Sequence, residues 1–100
     1  MINLTKDKNT RDLLDAAVRH WGIPSQMLVL SEESSELAAA ATRILTEKGT
    51  KEDLVGEMAD VYIMISQIVF SLREEALFDK IVEEKIERTR KRIAGIPDSP

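Results

Sequence analysis

Cysteine is missing from this 100-residue sequence, which excludes both a disulfide framework and a thiolate metal site. A metal ion would have to sit on oxygen ligands or on His20, the only histidine. Aromatics are scarce, four in all, and much of the 43% apolar content is Ala, Leu, Ile, Val and Met, so a core built from one chain would be thin. Self-association, as a homodimer or homotetramer, is the natural remedy. A basic surplus is lacking too: 14 Lys and Arg stand against 18 Asp and Glu, net charge −4, which argues against a surface for nucleic acid. No uninterrupted apolar stretch is longer than the five residues of Val61 to Ile65, too short to span a bilayer. Met1 to Lys8 alternates polar and apolar residues and does not resemble a signal peptide. One domain over residues 1–100, cytoplasmic and without a membrane partner, is the default expectation.

Strand-like alternation is also nearly absent, and helical periodicity takes its place. Asn9 or Thr10 is expected to cap a first helix with an apolar face of Leu14, Ala17, Val18 and Trp21, ended by Gly22 and Pro24. A second helix is expected from about Ser25 to Glu47, with Gly49 as its stop. Thr50 and Asp53 have the spacing of a capping box, with Asp in place of Glu, and open a third helix to about Leu72. A fourth runs from about Glu74 to Ile93, and the tail 95–100, with two prolines, is expected to be loose.

The second helix carries Met27, Leu30, Ser34, Leu37, Ala41 and Ile44 at alternating spacings of three and four, and the third carries Leu54, Met58, Val61, Ile65, Ile68 and Leu72 likewise. Two such seams predict a helical hairpin, half of a bundle. The third helix is apolar on its other faces as well, at Val55, Ala59, Tyr62, Ile63 and Val69, so a partner subunit is expected to cover it.

The same two helices share an acidic pattern. Leu30-x-x-Glu33-x-x-Glu36-Leu37 is matched 24 residues later by Leu54-x-x-Glu57-x-x-Asp60-Val61. At about 100° per residue, each helix sets an acidic pair at the edge of its apolar seam. Antiparallel packing through those seams would gather four carboxylates in one small volume, where uncompensated charge is costly, so a cation is expected there. Carboxylate ligands without Cys favour Mg²⁺ or Mn²⁺ over Zn²⁺ or Fe. A di-iron bundle site would need Glu-x-x-His on two helices, which this sequence does not have. The plain alternative is that the acids are solvated helix faces.

The arrangement Glu32-Glu33-Ser34-Ser35-Glu36, twenty intervening residues, then Glu57-Met58-Ala59-Asp60, resembles the motif of the MazG-like nucleotide pyrophosphohydrolases. The resemblance covers about residues 21–68. It implies an all-α, four-helix bundle completed by oligomerisation, and Mg²⁺-dependent cleavage of nucleoside or deoxynucleoside triphosphates between the α and β phosphates. It assigns the metal to Glu33, Glu36, Glu57 and Asp60, with Glu33 and Glu36 also part of the catalytic set. Glu32 matches the extra acid of the motif, which would position water or a second Mg²⁺, or else is a surface residue.

Lys85, Arg88 and Arg92 fall within about 60° of arc on the fourth helix beside Phe78, Val82, Ile86, Thr89 and Ile93. They resemble the family's late-helix cations and would contact substrate phosphates, whereas Arg90 and Lys91 fit ordinary helix salt bridges equally well. Trp21 resembles a base-stacking tryptophan of some relatives, or is a core anchor for the first helix. His20 is expected at the surface or behind the site. Two rivals remain: a phosphoribosyl-ATP pyrophosphohydrolase of the same fold, and a noncatalytic helical interaction module.

Overall fold

A computed structural model describes residues 3–97 and contains four helices in chain order: α1 (Lys8–Trp21), α2 (Ile23–Leu45), α3 (Lys51–Ser71) and α4 (Glu75–Ile93). No strand occurs among the described residues, so the chain is all-α as its periodicity predicts. Part of the tail, residues 98–100, lies outside the described residues.

Helix ends follow backbone chemistry more than glycine positions. The cap of α1 is Asp7, not Asn9 or Thr10: its Oδ2 accepts hydrogen bonds from the Thr10 amide and hydroxyl, both at 3.0 Å. Asp7 stands three residues before a free helical N–H, the spacing a capping carboxylate needs. Thr50 does cap α3, its Oγ1 accepting from the Asp53 amide at 3.1 Å. Gly22, at φ 87°, is the single residue between α1 and α2. Its N–H donates to the Val18 carbonyl at 2.7 Å and its carbonyl accepts from Gln26 at 3.0 Å, so it closes one helix and opens the next. A left-handed backbone makes this place for glycine. Pro24 falls in the first turn of α2, where no intrahelical amide is needed.

The C-terminal ends of α2 and α3 share one pattern. In α2, Glu47 at φ 61° donates to Ile44 and Lys48 donates to Arg43; in α3, Arg73 at φ 58° donates to Phe70 and Glu74 to Val69. Both are Schellman ends with a charged residue in the position glycine usually takes. Gly49 is therefore not the left-handed stop. It is required by crowding, since a Cβ there would stand 2.9 Å from the Cβ of Arg43.

The α2–α3 hairpin is antiparallel and accounts for most of the packing, with α1 laid across α3. Its true seams are turned slightly from the apolar lines. On α2 the inward positions are Gln26, Leu30, Glu33, Leu37, Ala40 and Ile44, while Met27, Ser34 and Ala41 face outward. On α3 they are Leu54, Glu57, Val61, Met64 and Ile68, with Met58 and Leu72 exposed. Two acids thus lie in the seams themselves. Gln67 and Gln26, 5% and 4% exposed, pair inside the hairpin through the Gln67 amide and the Gln26 carbonyl.

This buried pair makes a direct stability test. Gln67→Leu leaves the Gln26 side-chain carbonyl buried without its donor and is expected to cost about 1 to 3 kcal/mol. Replacing both by Leu removes the unpaired group and should cost much less than the two single losses combined. Urea unfolding of the two single variants and the double variant measures this coupling, and strictly additive losses would show that the pair is not coupled.

α1 contributes Leu14 and Val18 to the core and is tied to the far end of α3 through Asp15. Arg73 Nη2 donates to Asp15 Oδ2 at 3.0 Å and Ser71 Oγ to Asp15 Oδ1 at 3.3 Å. The Arg73 guanidinium also lies 4.6 Å from the centre of the Phe70 ring. Trp21 does not join α1's apolar face: it is 60% exposed, with its ring edge-on to His20 at 4.9 Å. The anchor alternative is thereby removed for the single chain, because a side chain this exposed contributes little to the core.

α3 is long and apolar enough to cross a membrane by length and composition alone, although Glu57 and Asp60 lie within it. The short uninterrupted run Val61 to Ile65 understates it, because hydropathy averaged over an 18-residue window within the helix is high. α4 has no buried residue and touches only α3, sparingly.

Candidate metal centre

Antiparallel register brings the acids together. Gln26 faces Gln67; seven residues further along α2 and seven back along α3, Glu33 faces Asp60; three further and three back, Glu36 faces Glu57. The 24-residue sequence repeat therefore becomes a local pseudo-two-fold, exchanging the Glu33–Asp60 pair with the Glu57–Glu36 pair. Glu33, Glu36 and Glu57 each offer a carboxylate oxygen, and these atoms lie within 4.8 Å of one another. Asp60 is not one of that three, although its carboxylate stands against Glu33.

The seam residues and the edge residues differ in environment. Glu33 and Glu57 are half-buried and Glu36 and Asp60 are exposed. Oε2 of Glu33 and Oε2 of Glu57 are closed off from solvent without a hydrogen-bond partner. Burial pushes the Glu33 carboxyl above its ordinary value of 4.5, and the charges of Glu36, Asp60 and Glu57 push it the same way. Burial likewise raises Glu57, with Glu36 and Asp60 adding to it; Arg43 pulls downward and is outweighed. Crowded carboxylates in a desolvated pocket behave so.

These observations fit a divalent cation held by oxygen. Two shielded carboxylate oxygens lack any donor, three acidic side chains converge, and the pull of Arg43 on Glu57 is outweighed. Hard oxygen donors without Cys, and without His in the group, suit Mg²⁺ or Mn²⁺. Arg43 was not singled out by the sequence reasoning. The signal was available, because it stands seven residues beyond Glu36 and hence on the same face of α2.

The remaining candidates lie apart. Glu32 is exposed on α2 and has no part in the carboxylate group. Trp21 stands exposed at the α1–α2 junction. Lys85, Arg88 and Arg92 are exposed on α4, which makes no contact with α2, and no α4 residue figures among the charges that shift Glu33 or Glu57. Lys85 lines a shallow hollow on α4 with Val82, Ile86 and Thr89. Comparison of the chain with protein-family models, curated proteins and solved structures returned no match.

Proposed function

We propose that this chain is a nucleotide pyrophosphohydrolase that cleaves nucleoside or deoxynucleoside triphosphates between the α and β phosphates, giving a monophosphate and pyrophosphate. The observation that carries this is the convergence of Glu33, Glu36 and Glu57 around two solvent-shielded, partnerless carboxylate oxygens. The acidic motif's resemblance to the MazG-like enzymes supports the same chemistry.

Glu33 and Glu57, fixed in the helix seams, would hold Mg²⁺ from the inside, with Glu36 and Asp60 closing the set from the exposed rim. When bound, the ion supplies charge neutralisation and polarisation of phosphate oxygens. The exposed carboxylates, Glu36 above all, are the groups able to take a proton from an attacking water, because they keep one side open to solvent. Glu32, one residue from Glu33, would order that water on the outer face. Trp21 offers a flat, exposed surface on which a base can stack. Lys85, Arg88 and Arg92 would meet the substrate phosphates across a subunit boundary, since α4 makes no contact with its own α2.

The direct test is incubation with a panel of canonical and modified triphosphates and Mg²⁺, with pyrophosphate and orthophosphate assayed separately. Pyrophosphate with the monophosphate is the expected outcome; orthophosphate release, or no turnover across the panel, would overturn the proposal. For the cations, Arg88→Ala or Arg92→Ala is expected to reduce kcat/KM about ten- to a hundredfold, the loss of one charge-assisted contact, without changing helical content. Steady-state kinetics that match wild type for Lys85→Ala, Arg88→Ala and Arg92→Ala would remove these residues from the site.

A further inference from the structure

The face of the hairpin that carries the acids is closed at one end and open at the other. At the closed end α1 lies over it: Asp15 accepts from Ser71 and Arg73, and Gln67, four residues before Ser71 and so on the same face of α3, is buried. At the open end, toward the α2–α3 turn, α4 makes no contact with α2, and Ala39, Arg43, Asp53 and Gly56 are all exposed. The pseudo-two-fold relates the two ends. A shift of 24 residues takes Arg43 to Gln67 and Gln26 to Thr50, so the place that a neutral, buried pair fills at one end is held at the other by an uncovered guanidinium and the hydroxyl that caps α3.

Arg43 stands seven residues beyond Glu36, about 20° around α2 and roughly 10 Å along it. Ala39 and Ala40 lie between them, so on α2 nothing longer than a methyl group separates the acids from the guanidinium. Across the face, a Cβ on Gly56 would meet nothing within 4 Å, which leaves α3 open there as well. The base of the Arg43 side chain is held by the turn, where the Lys48 and Gly49 amides donate to the Arg43 carbonyl at 2.9 and 3.1 Å. Among the described residues its guanidinium forms no salt bridge, with Asp53 or with any acid of the group, yet its charge is felt at Glu57. Its five donors are therefore left for a ligand.

Four carboxylates around one divalent ion leave a site net negative, and a pyrophosphate leaving group adds to that charge. With the α phosphate at the acids, the β and γ phosphates cannot extend toward α1, which covers that end. We infer that Arg43 is the phosphate-binding residue of this site: it takes the β and γ phosphates of the substrate, and the pyrophosphate they become, in bidentate hydrogen bonds, so that the phosphate chain runs from the acids toward the α2–α3 turn. This role rests on the pyrophosphohydrolase reading and adds to it a preference for chain length. Anions of two or more linked phosphates reach Arg43, and a single phosphate at the acids does not.

The test is calorimetric titration of inorganic pyrophosphate and of orthophosphate into wild type, Arg43→Gln and Arg43→Lys at saturating Mg²⁺, with Mg²⁺ alone as a third ligand and circular dichroism on each sample. Arg43→Gln is expected to weaken pyrophosphate binding about ten- to a hundredfold, the loss of charge-assisted hydrogen bonds, while orthophosphate binding changes less than about threefold. Arg43→Lys keeps the charge without the planar fork and should fall between the two. Mg²⁺ alone should bind Arg43→Gln at least as tightly as wild type, because a positive charge beside Glu57 is removed. A merely structural role would weaken Mg²⁺ and pyrophosphate together, and that result overturns the inference. Wild type that binds pyrophosphate no better than orthophosphate overturns it as well. Triphosphate hydrolysis by wild type, with pyrophosphate affinity unchanged in Arg43→Gln, removes Arg43 from the site and leaves the reaction standing. No hydrolysis by wild type, with pyrophosphate affinity still lost in Arg43→Gln, overturns the reaction and keeps Arg43 as a phosphate-binding residue.

Discussion

On the proposed reading, Glu57→Gln is expected to abolish triphosphate hydrolysis while leaving the four helices in place, and to remove most of the thermal stabilisation that Mg²⁺ should give the wild-type protein. The substitution keeps the shape of the side chain and deletes the charge that a hard cation requires. Groups that merely orient a metal ligand are worth about 10- to 100-fold in activity, so loss of a ligand from the seam should exceed a hundredfold. For wild type, Mg²⁺ at about 100 times its Kd adds about 2.7 kcal/mol through preferential binding to the folded state, on the order of 10 °C in a domain of this size. Glu33→Gln should behave alike, because the pseudo-two-fold gives it the same shielded position. Asp60→Asn tests the outer ligand and should retain more of the Mg²⁺ response. Scanning calorimetry with and without Mg²⁺, beside pyrophosphate assays, measures both quantities. Full activity together with an unchanged Mg²⁺ shift in Glu57→Gln would show that the acids are ordinary surface charge and end the metal-site assignment.

How the sequence carried this site, and where it stopped, follows from what a periodicity argument assumes. Four helices and their order were legible, because apolar residues recur every three or four positions and Thr50 and Asp53 announce a helix start. The pairing of the acids was legible as well, since the 24-residue repeat becomes the pseudo-two-fold of the hairpin. Depth was not. Assigning apolar residues to the inside selected Ser34 and Ala41 for α2's seam, whereas the helix packs with Glu33 and Ala40 inward. The rotation is small, but it moves Glu33 and Glu57 from the rim into the contact. Gln26 and Gln67 were invisible for the same reason: polar side chains default to solvent, and only the mutual hydrogen bond, formed across 41 residues of sequence, makes their burial tolerable. Helix ends failed where a charged residue, Glu47 or Arg73, takes the left-handed position that glycine would have signalled.

Placing acids within a packing seam also sets what the metal-free protein must endure. Glu33 and Glu57 are half-buried between the helices beside Leu30, Leu37 and Val61, where burial and the neighbouring carboxylates raise both carboxyls. The hairpin is thus folded against its own electrostatics until a cation or a proton arrives. The register pin formed by Gln26 and Gln67 and the clamp from Asp15 to Arg73 lie on the side of the acids away from the α2–α3 turn, and hold the helices in that register.

In the metal-free protein Glu33 and Glu57 should therefore contribute more stability as the pH falls toward 4.5, the reverse of their part in ordinary acid denaturation. Glu33 and Glu57 have folded-state values raised above 4.5, chiefly by burial. Between 4.5 and the raised values the folded chain binds more protons than the unfolded one, so stability falls as pH rises through that window. Their contribution is complete below about 4.5, the unfolded value, and is lost as the pH rises through the raised folded-state values. Asp12 runs the other way: the hydrogen bond and charge of Lys8 hold its carboxyl below 3.8, so its contribution is lost only in stronger acid and does not mask the effect. On the proposed reading Mg²⁺ would compete with protons for the same oxygens, so its stabilising increment should be larger at pH 7.5 than in acid. Glu33→Gln and Glu57→Gln should each flatten the metal-free profile and raise the melting temperature at pH 7.5, because an amide cannot join the repulsion. Melting curves from pH 5 to 8, with EDTA or with Mg²⁺, give the full comparison. A metal-free profile that falls toward pH 5, with the same slope in both Gln variants, would mean that the carboxylates neither crowd nor share a cation. Convergence of the profiles on adding Mg²⁺ to wild type, and not to Glu57→Gln, would tie the electrostatic cost of this hairpin to the ion that relieves it.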